Sequence, residues 1–588
     1  MAFWDKPISR EFERVSGASC DFDRGVDEME HPRSATRLPS IPSRVPSTPL
    51  QRLATVCTLR AIARLFVFGF PITFVLASWL AGAGFPYYHD NNETLLVYVE
   101  ARNLEIWDPN EYGWLAATDT DPAQPRVEHV YTHMPNGPRY LHYLLLRAGI
   151  RDLRHHTLIL SLIATTLTVV LLSRALKYTA LQVVSLAIVL DYPGFLAWTI
   201  NTYRVWIFVL YFGMVLAVAR HRPLWVGVTA FAAFQADIGV SLFICAAAVA
   251  QALLMHGRQA TWLIVTLVAG TLLSVAIFGA QVLSYYGWDG FTGELAATYV
   301  RRGPGGAQMA LWTYFIHSWL GFLRLFTSVG KDMYNPFVAV ILMSGLVVAP
   351  WLLVRRQLSE AHRFVAILTV SATFGAIVTS TLLFGYFVDA FIESQLPFAS
   401  LMIALSIGTV ALGLHRLVVH YSRLDVLGAV CGAAMLLPVV AASVSLYRPP
   451  VTPDLIQVLT DDYQGRSIVG PGLIAEFAFA MTGGRAASLG GLGSSAGFPA
   501  VAADLDRLRS MRDADGTLLF LCLEPVYPAH ATNPLFAACR DLVADMAPKM
   551  RGTVASGQGW MLMRFDPDAG TITAETQRPL PSDYGSEK

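Results

Sequence analysis

The chain has 588 residues, 54% hydrophobic and only 15% charged, and its 43 basic and 43 acidic residues leave a formal net charge of zero. Such a length would allow roughly three or four soluble domains, but this composition does not fit them. A neutral chain without a basic tract gives no support to nucleic acid as a partner, and none is expected.

The first 50 residues are rich in Ser, Pro and Arg and lack apolar periodicity, so residues 1–58 are expected to be a disordered cytoplasmic arm. No cleavable signal peptide is expected, because the first apolar run starts late and is long. Apolar runs follow near 62–84, 157–176, 180–199, 203–219, 223–236, 238–255, 261–283, 336–354, 362–385, 395–414 and 424–446. They predict an α-helical polytopic membrane protein with about eleven spans. The short runs on either side of Gln235 and Asp237 read also as one kinked pair.

Basic residues set the orientation. Arg60 and Arg64, Arg174 and Lys177, Arg220 and Arg222, Arg258, Arg355, Arg356 and Arg363, and Arg416 and Arg423 share one side if the N-terminus is cytoplasmic. Segments 85–156, 284–335 and the chain from 447 onward then lie outside. The tail alternates strand-like SIVG, TLLFLCLE and GWMLMRF with helical stretches, which predicts a small extracytoplasmic α/β domain over 447–570. Residues 571–588 are expected to be a second disordered segment. Cys522 and Cys539 can pair on an oxidising side, whereas Cys245 and Cys431 read as small buried hydrophobes.

The first outer segment carries the densest ionisable chemistry. Asp90 and Glu93 precede a helical pattern containing Glu100 and Arg102, and PNGPRYLHY (Pro135–Tyr143) closes the segment with His133 just before it. Asp90 and Glu93 read either as an N-cap with its capping-box partner or as carboxylates able to take a proton. Asn92-Glu93-Thr94 is also a glycosylation sequon. Asp237 interrupts an apolar stretch, where a carboxylate needs Arg204, a helix-break amide or a hydrated cavity. Arg301 and Arg302 suit a donor phosphate, a solvated loop or a lipid headgroup contact, and Lys331 a phosphate or an interfacial position. Glu393 and Gln395 read as site residues or as ordinary interface polarity, and His133 and His317 are the histidines considered as metal ligands. The apolar, aromatic stretch 306–330 is expected to lie along the outer leaflet and to guide a lipid.

On these residues the chain resembles the GT-C superfamily of membrane glycosyltransferases, which includes the protein mannosyltransferases, the aminoarabinose transferases and the Rgt-type enzymes. Glu93-Thr94 and Ala101-Arg102-Asn103 occupy the family's acidic pair and A-R-N-like pattern, and PNGPRYLHY its approach to the second span. Tyr386 and ESQLP (Glu393–Pro397) resemble the polar start of a late span. The adjacent Asp-Glu of the family is absent, and Asn136 and Gly137 split its proline pair. The resemblance covers roughly residues 60–445 and implies a GT-C-like transmembrane domain over 59–446.

The resemblance also implies transfer of a sugar from a polyprenyl-phosphate-linked lipid to a cell-envelope acceptor (lipid, polysaccharide or protein). The setting implied is the extracytoplasmic face of a bacterial inner (plasma) membrane. Glu93 or Asp90 would be the base. Arg102, His133, Arg139, Tyr140, Arg204, Asp237, Arg301, Arg302, Lys331, Glu393 and Gln395 would bind substrate and donor. No cofactor is certain, and some enzymes of the superfamily place a divalent cation (Mg or Mn) between carboxylates and donor phosphate. The competing classes are a transporter or flippase, which would carry its charges at mid-membrane and show internal repeats, and an inactive scaffold for envelope assembly.

Overall fold

The computed structural model describes residues 92–127, 130–131, 137–176, 205–302, 347–354, 360–382, 453–470, 473–489, 505–523 and 549–569, with a few isolated positions besides. The first described helix, α1 (Asn92–Ile106), is buried almost all round, and Leu95, Val97, Tyr98, Val99 and Ala101 are each at most 1% exposed. A helix enclosed on every side has no reason to be amphipathic. A 3-10 turn (Pro109–Tyr112), capped by the Asp108 side chain, leads into a two-stranded ribbon of β1 (Ala116–Ala117) and β2 (Val130–Tyr131). Then come α2 (Pro138–Arg147) and α3 (Leu153–Leu176).

The central helices are α4 (Trp206–Ala219), α5 (Pro223–Ala236), α6 (Ile238–His256), α7 (Thr261–Arg302) and α8 (Glu360–Leu382). Here the expectation of about eleven spans is corrected. Among the described residues, two helical stretches are long and apolar enough to cross a membrane, Leu153–Leu172 and Ile238–Gly293. The apolar helices Trp206–Ala219, Pro223–Ala236 and Arg363–Thr379 are shorter. At about 1.5 Å per residue, a 14-residue helix such as α4 or α5 reaches ~21 Å against a hydrocarbon core of ~30 Å. Apolar runs therefore overcounted spans. Runs 238–255 and 261–283 fall on α6 and α7, which a 3-10 turn at Gly257–Ala260 separates. Runs 62–84, 180–199, 395–414 and 424–446 lie almost wholly outside the described residues.

Close backbone contact fixes α5 against α7. A Cβ on Gly270 would run into the Gly227 carbonyl, and one on Gly227 would stand 2.9 Å from the Thr266 carbonyl oxygen. Small residues at such a crossing let two apolar helices pack without relying on the hydrophobic effect. Farther along, α7 is bent at Gly287, whose φ of 67° is open to glycine. The segment from 284, expected as a loop, stays helical to Arg302.

Among the described residues, the C-terminal region forms a five-stranded mixed sheet in the order β4-β3-β5-β7-β6. Its strands are β3 (Ile468–Gly470), β4 (Ala486–Ser488), β5 (Leu519–Leu523), β6 (Met550–Gly557) and β7 (Trp560–Phe565). β3 runs parallel to β4 and β5, while β5–β7 and β7–β6 are antiparallel. α9 (Pro453–Gln457), α10 (Leu473–Thr482) and α11 (Leu505–Ser510) accompany it.

Period-two alternation sends Leu519, Leu521 and Leu523 to one face and Phe520 and Cys522 to the other. The first face shares a core with α10 and with Leu95, Tyr98, Val99 and Ala101 of α1, and the second packs on Leu508 and Met511. Burial on both faces explains why TLLFLCLE is continuously apolar. Cys522 is disulfide-bonded, and Cys539 lies outside the described residues.

Candidate functional site

Three separated pieces of sequence meet around α1 and α2. The amide of Gly137, just before α2, donates to the Gln235 carbonyl at 2.6 Å, and a Cβ there would stand 2.7 Å from the same oxygen. Two residues on, the buried Asp237 closes the α5–α6 break. Its Oδ1 accepts from the amides of Gly239 (2.6 Å) and Val240 (3.1 Å), the helix-break reading of this carboxylate. Gln235 Nε2 donates to Ser274 Oγ at 2.9 Å, which fastens the break to α7.

Arg139 is buried on α2. Its guanidinium lies 4.8 Å from the centre of the Tyr140 ring and donates to the Tyr140 hydroxyl at 2.9 Å and to the Trp114 carbonyl. Gly113 and Trp114 both have left-handed φ (64° and 59°), which closes the 3-10 turn. The buried Glu100 of α1 feels the Arg139 charge, yet desolvation dominates and pushes its carboxyl up to about 8. Its sign follows from linkage. A raised acid contributes stability that is complete below about pH 4.5 and is lost as pH rises through about 8. Thermal midpoints of wild type and Glu100→Gln should therefore coincide near pH 5 and separate towards pH 9, with the variant the more stable. Parallel curves would refute the assignment.

Behind this cluster lies a buried histidine pair. His142 Nδ1 and His156 Nδ1 are 3.1 Å apart, His142 Nε2 is 2.8 Å from Thr202 Oγ1, and His156 Nε2 is 2.6 Å from the Ile150 carbonyl. The Thr202 amide donates to Thr94 Oγ1, adjoining Glu93. Tyr98 stands edge-on to both rings and donates to the Arg151 carbonyl, and burial pushes its hydroxyl up to about 12. Burial, helped by the neighbouring His156, holds His142 well below the usual histidine range.

A cavity of about 580 Å³ opens between the 3-10 turn and the bend in α7. Glu111, Tyr112, Arg126, Val127, Tyr285 and Tyr286 line it. Tyr112 is fully buried, its hydroxyl has no hydrogen-bond partner among the described residues, and desolvation raises its pKa. None of these six stood out in the sequence. Signals for them exist in the turn motif DPNEYG and the aromatic cluster YYGW before and after Gly287.

Of the sequence-predicted residues, Arg139 and Tyr140 are in contact, and Asp237 closes the helix break two residues beyond the Gly137–Gln235 contact. Arg102 does not join them. Its Nη1 donates to the Phe479 carbonyl at 3.0 Å and its guanidinium stacks 4.9 Å from the Phe479 ring centre, so it ties α1 to α10. Glu93 lies in the first turn of α1, and Arg301 and Arg302 end α7. Asp90, His133, Arg204, His317, Lys331, Tyr386, Glu393 and Gln395 fall outside the described residues. Among the described residues, no three His, Cys, Asp or Glu converge as a metal site. No known family pattern matches the chain, and no curated protein sequence matches it.

Proposed function

We propose that the protein is a membrane glycosyltransferase that moves a sugar from a polyprenyl-phosphate-linked donor to a cell-envelope acceptor on the extracytoplasmic side. The observation that carries this reading is convergence: the PNGPRYLHY segment meets the Gln235–Asp237 break at Gly137, and Tyr98 of the helix bearing Glu93 stands edge-on to His142 of the same segment. These are the elements on which the resemblance rests. Transfer to a hydroxyl needs a carboxylate to take its proton, and Glu93 or Asp90 would serve. Phosphate is a tolerable leaving group, so a single base suffices for an inverting displacement. Oxidised Cys522 supports an extracytoplasmic C-terminal region, because disulfides persist on oxidising sides of membranes.

The test is donor turnover by the purified full-length chain in lipid nanodiscs, with a labelled polyprenyl-phosphate sugar and an envelope extract as acceptor. Release of polyprenyl phosphate matched mole for mole by label in the acceptor is expected. Donor movement in proteoliposomes without turnover would replace the reading with transport. Neither turnover nor movement would leave a scaffold.

A further inference from the structure

We propose that the cavity between the 3-10 turn and the α7 bend binds the headgroup of a zwitterionic phospholipid of the phosphoethanolamine type. The site is independent of the transfer reaction proposed above. Its lining holds one cation and one anion, Arg126 and Glu111, both exposed, and neither forms an ion pair among the described residues. A cavity that keeps opposite charges apart is complementary to a ligand whose own charges are separated.

Each part of such a headgroup has a counterpart here. Tyr112 forms part of the lining, and its hydroxyl is closed off from solvent with no hydrogen-bond partner among the described residues. Arg126 supplies the planar fork that suits phosphate. Tyr285 and Tyr286 stand nearly perpendicular, with ring centres 4.8 Å apart and planes at 84°, so two aromatic faces meet at a corner. An ammonium in such a corner, with the Glu111 carboxylate nearby, is held by ring quadrupoles and charge together.

Position argues for a lipid over a free solute. Tyr285 and Tyr286 lie near the end of the apolar stretch that stops at Gly293, and Trp288 just beyond them is 68% exposed. Tyrosine and tryptophan gather at that level of a membrane, where headgroups lie. The apolar floor continues below through Tyr112, Val127 and Val282.

The experiment uses the delipidated full-length protein in detergent, with phosphatidylethanolamine or phosphatidylglycerol added at equal concentration and bound lipid counted by native mass spectrometry. Phosphatidylethanolamine should be retained at least about tenfold more, as a cation–π and charge contact together allow. Glu111→Gln with Tyr286→Leu should abolish that preference, and Arg126→Gln should weaken retention of both lipids. Soluble glycerophosphoethanolamine should displace the bound lipid at higher concentration. Equal retention of the two lipids, an unchanged preference in the double variant, or failure of the soluble headgroup to compete would each overturn the proposal. The three substituted side chains are exposed, so unchanged thermal midpoints serve as the folding control.

Discussion

Glu93→Gln in the full-length protein should lower sugar transfer by about 10²–10⁴-fold, the usual worth of a positioned proton acceptor, while expression and thermal midpoint stay at wild-type values. The choice of substitution separates two explanations. A glutamine three residues after an N-cap serves a capping box as well as glutamate does, and asparagine caps as well as aspartate. Glu93→Gln and Asp90→Asn therefore preserve a helix-start function and remove only proton acceptance. Glu93 lies in the first turn of α1, beside Thr94, which is fully buried and receives the Thr202 amide. The helix start is thus anchored independently of the carboxylate. The readout is initial rate against pH, which should rise through the carboxylate range in wild type and disappear in the variant that removes the base. Full activity in both variants would end the assignment of a carboxylate base here.

Asp121→Ala should destabilise the protein by about 3 kcal/mol, the low end of what breaking a buried ion pair costs. Asp121 is 2% exposed and takes both arms of Arg485, with Nε–Oδ1 at 2.7 Å and Nη2–Oδ2 at 2.9 Å. Arg485 is 24% exposed, so water relieves part of the charge left behind and the low end is appropriate. The same neighbourhood carries a backbone bridge in which the Ala486 amide donates to the Thr120 carbonyl and Thr120 Oγ1 to the Ala486 carbonyl, both at 2.8 Å. Losing the carboxylate should loosen this seam first. Hydrogen exchange at residues 486–488 should quicken along with the fall in thermal midpoint. Asp121→Leu with Arg485→Met should recover most of the loss, since an apolar pair replaces a buried ion pair at little cost. Unchanged exchange and midpoint in Asp121→Ala would show that the seam is held by the core alone.

What was legible in the sequence was local. TLLFLCLE and GWMLMRF carry β5 and β7 because apolar, β-forming residues bounded by turn residues leave few other conformations. Asp237 stood out as a costly carboxylate, and it occupies the helix break that a backbone cap requires. The number of spans was not legible, because hydropathy marks apolar residues without saying whether lipid or protein will cover them. α4 shows this: Phe208 and Tyr211 are buried in protein although the run reads like a membrane helix. The contact of Arg102 with Phe479 was not legible for a related reason, since the two lie 377 residues apart. That DPNEYG and YYGW share one cavity was not legible, because Glu111 and Tyr285 are joined only by tertiary packing.

The histidine pair has one more consequence, for the direction in which its protons run. His156 Nε2 must donate to the Ile150 carbonyl, so its Nδ1 can only accept, and His142 must supply the proton between them from its own Nδ1. His142 Nε2 is then an acceptor, and the hydroxyl hydrogen of Thr202 is committed to it. Each tautomer in the junction of α1, α2 and α3 is dictated by one peptide carbonyl at its end. A proton added to His156 Nδ1 would set two N–H groups facing across 3.1 Å and break the bond, whereas one added to His142 Nε2 would leave the bridging proton in place and turn the Thr202 hydroxyl into an acceptor.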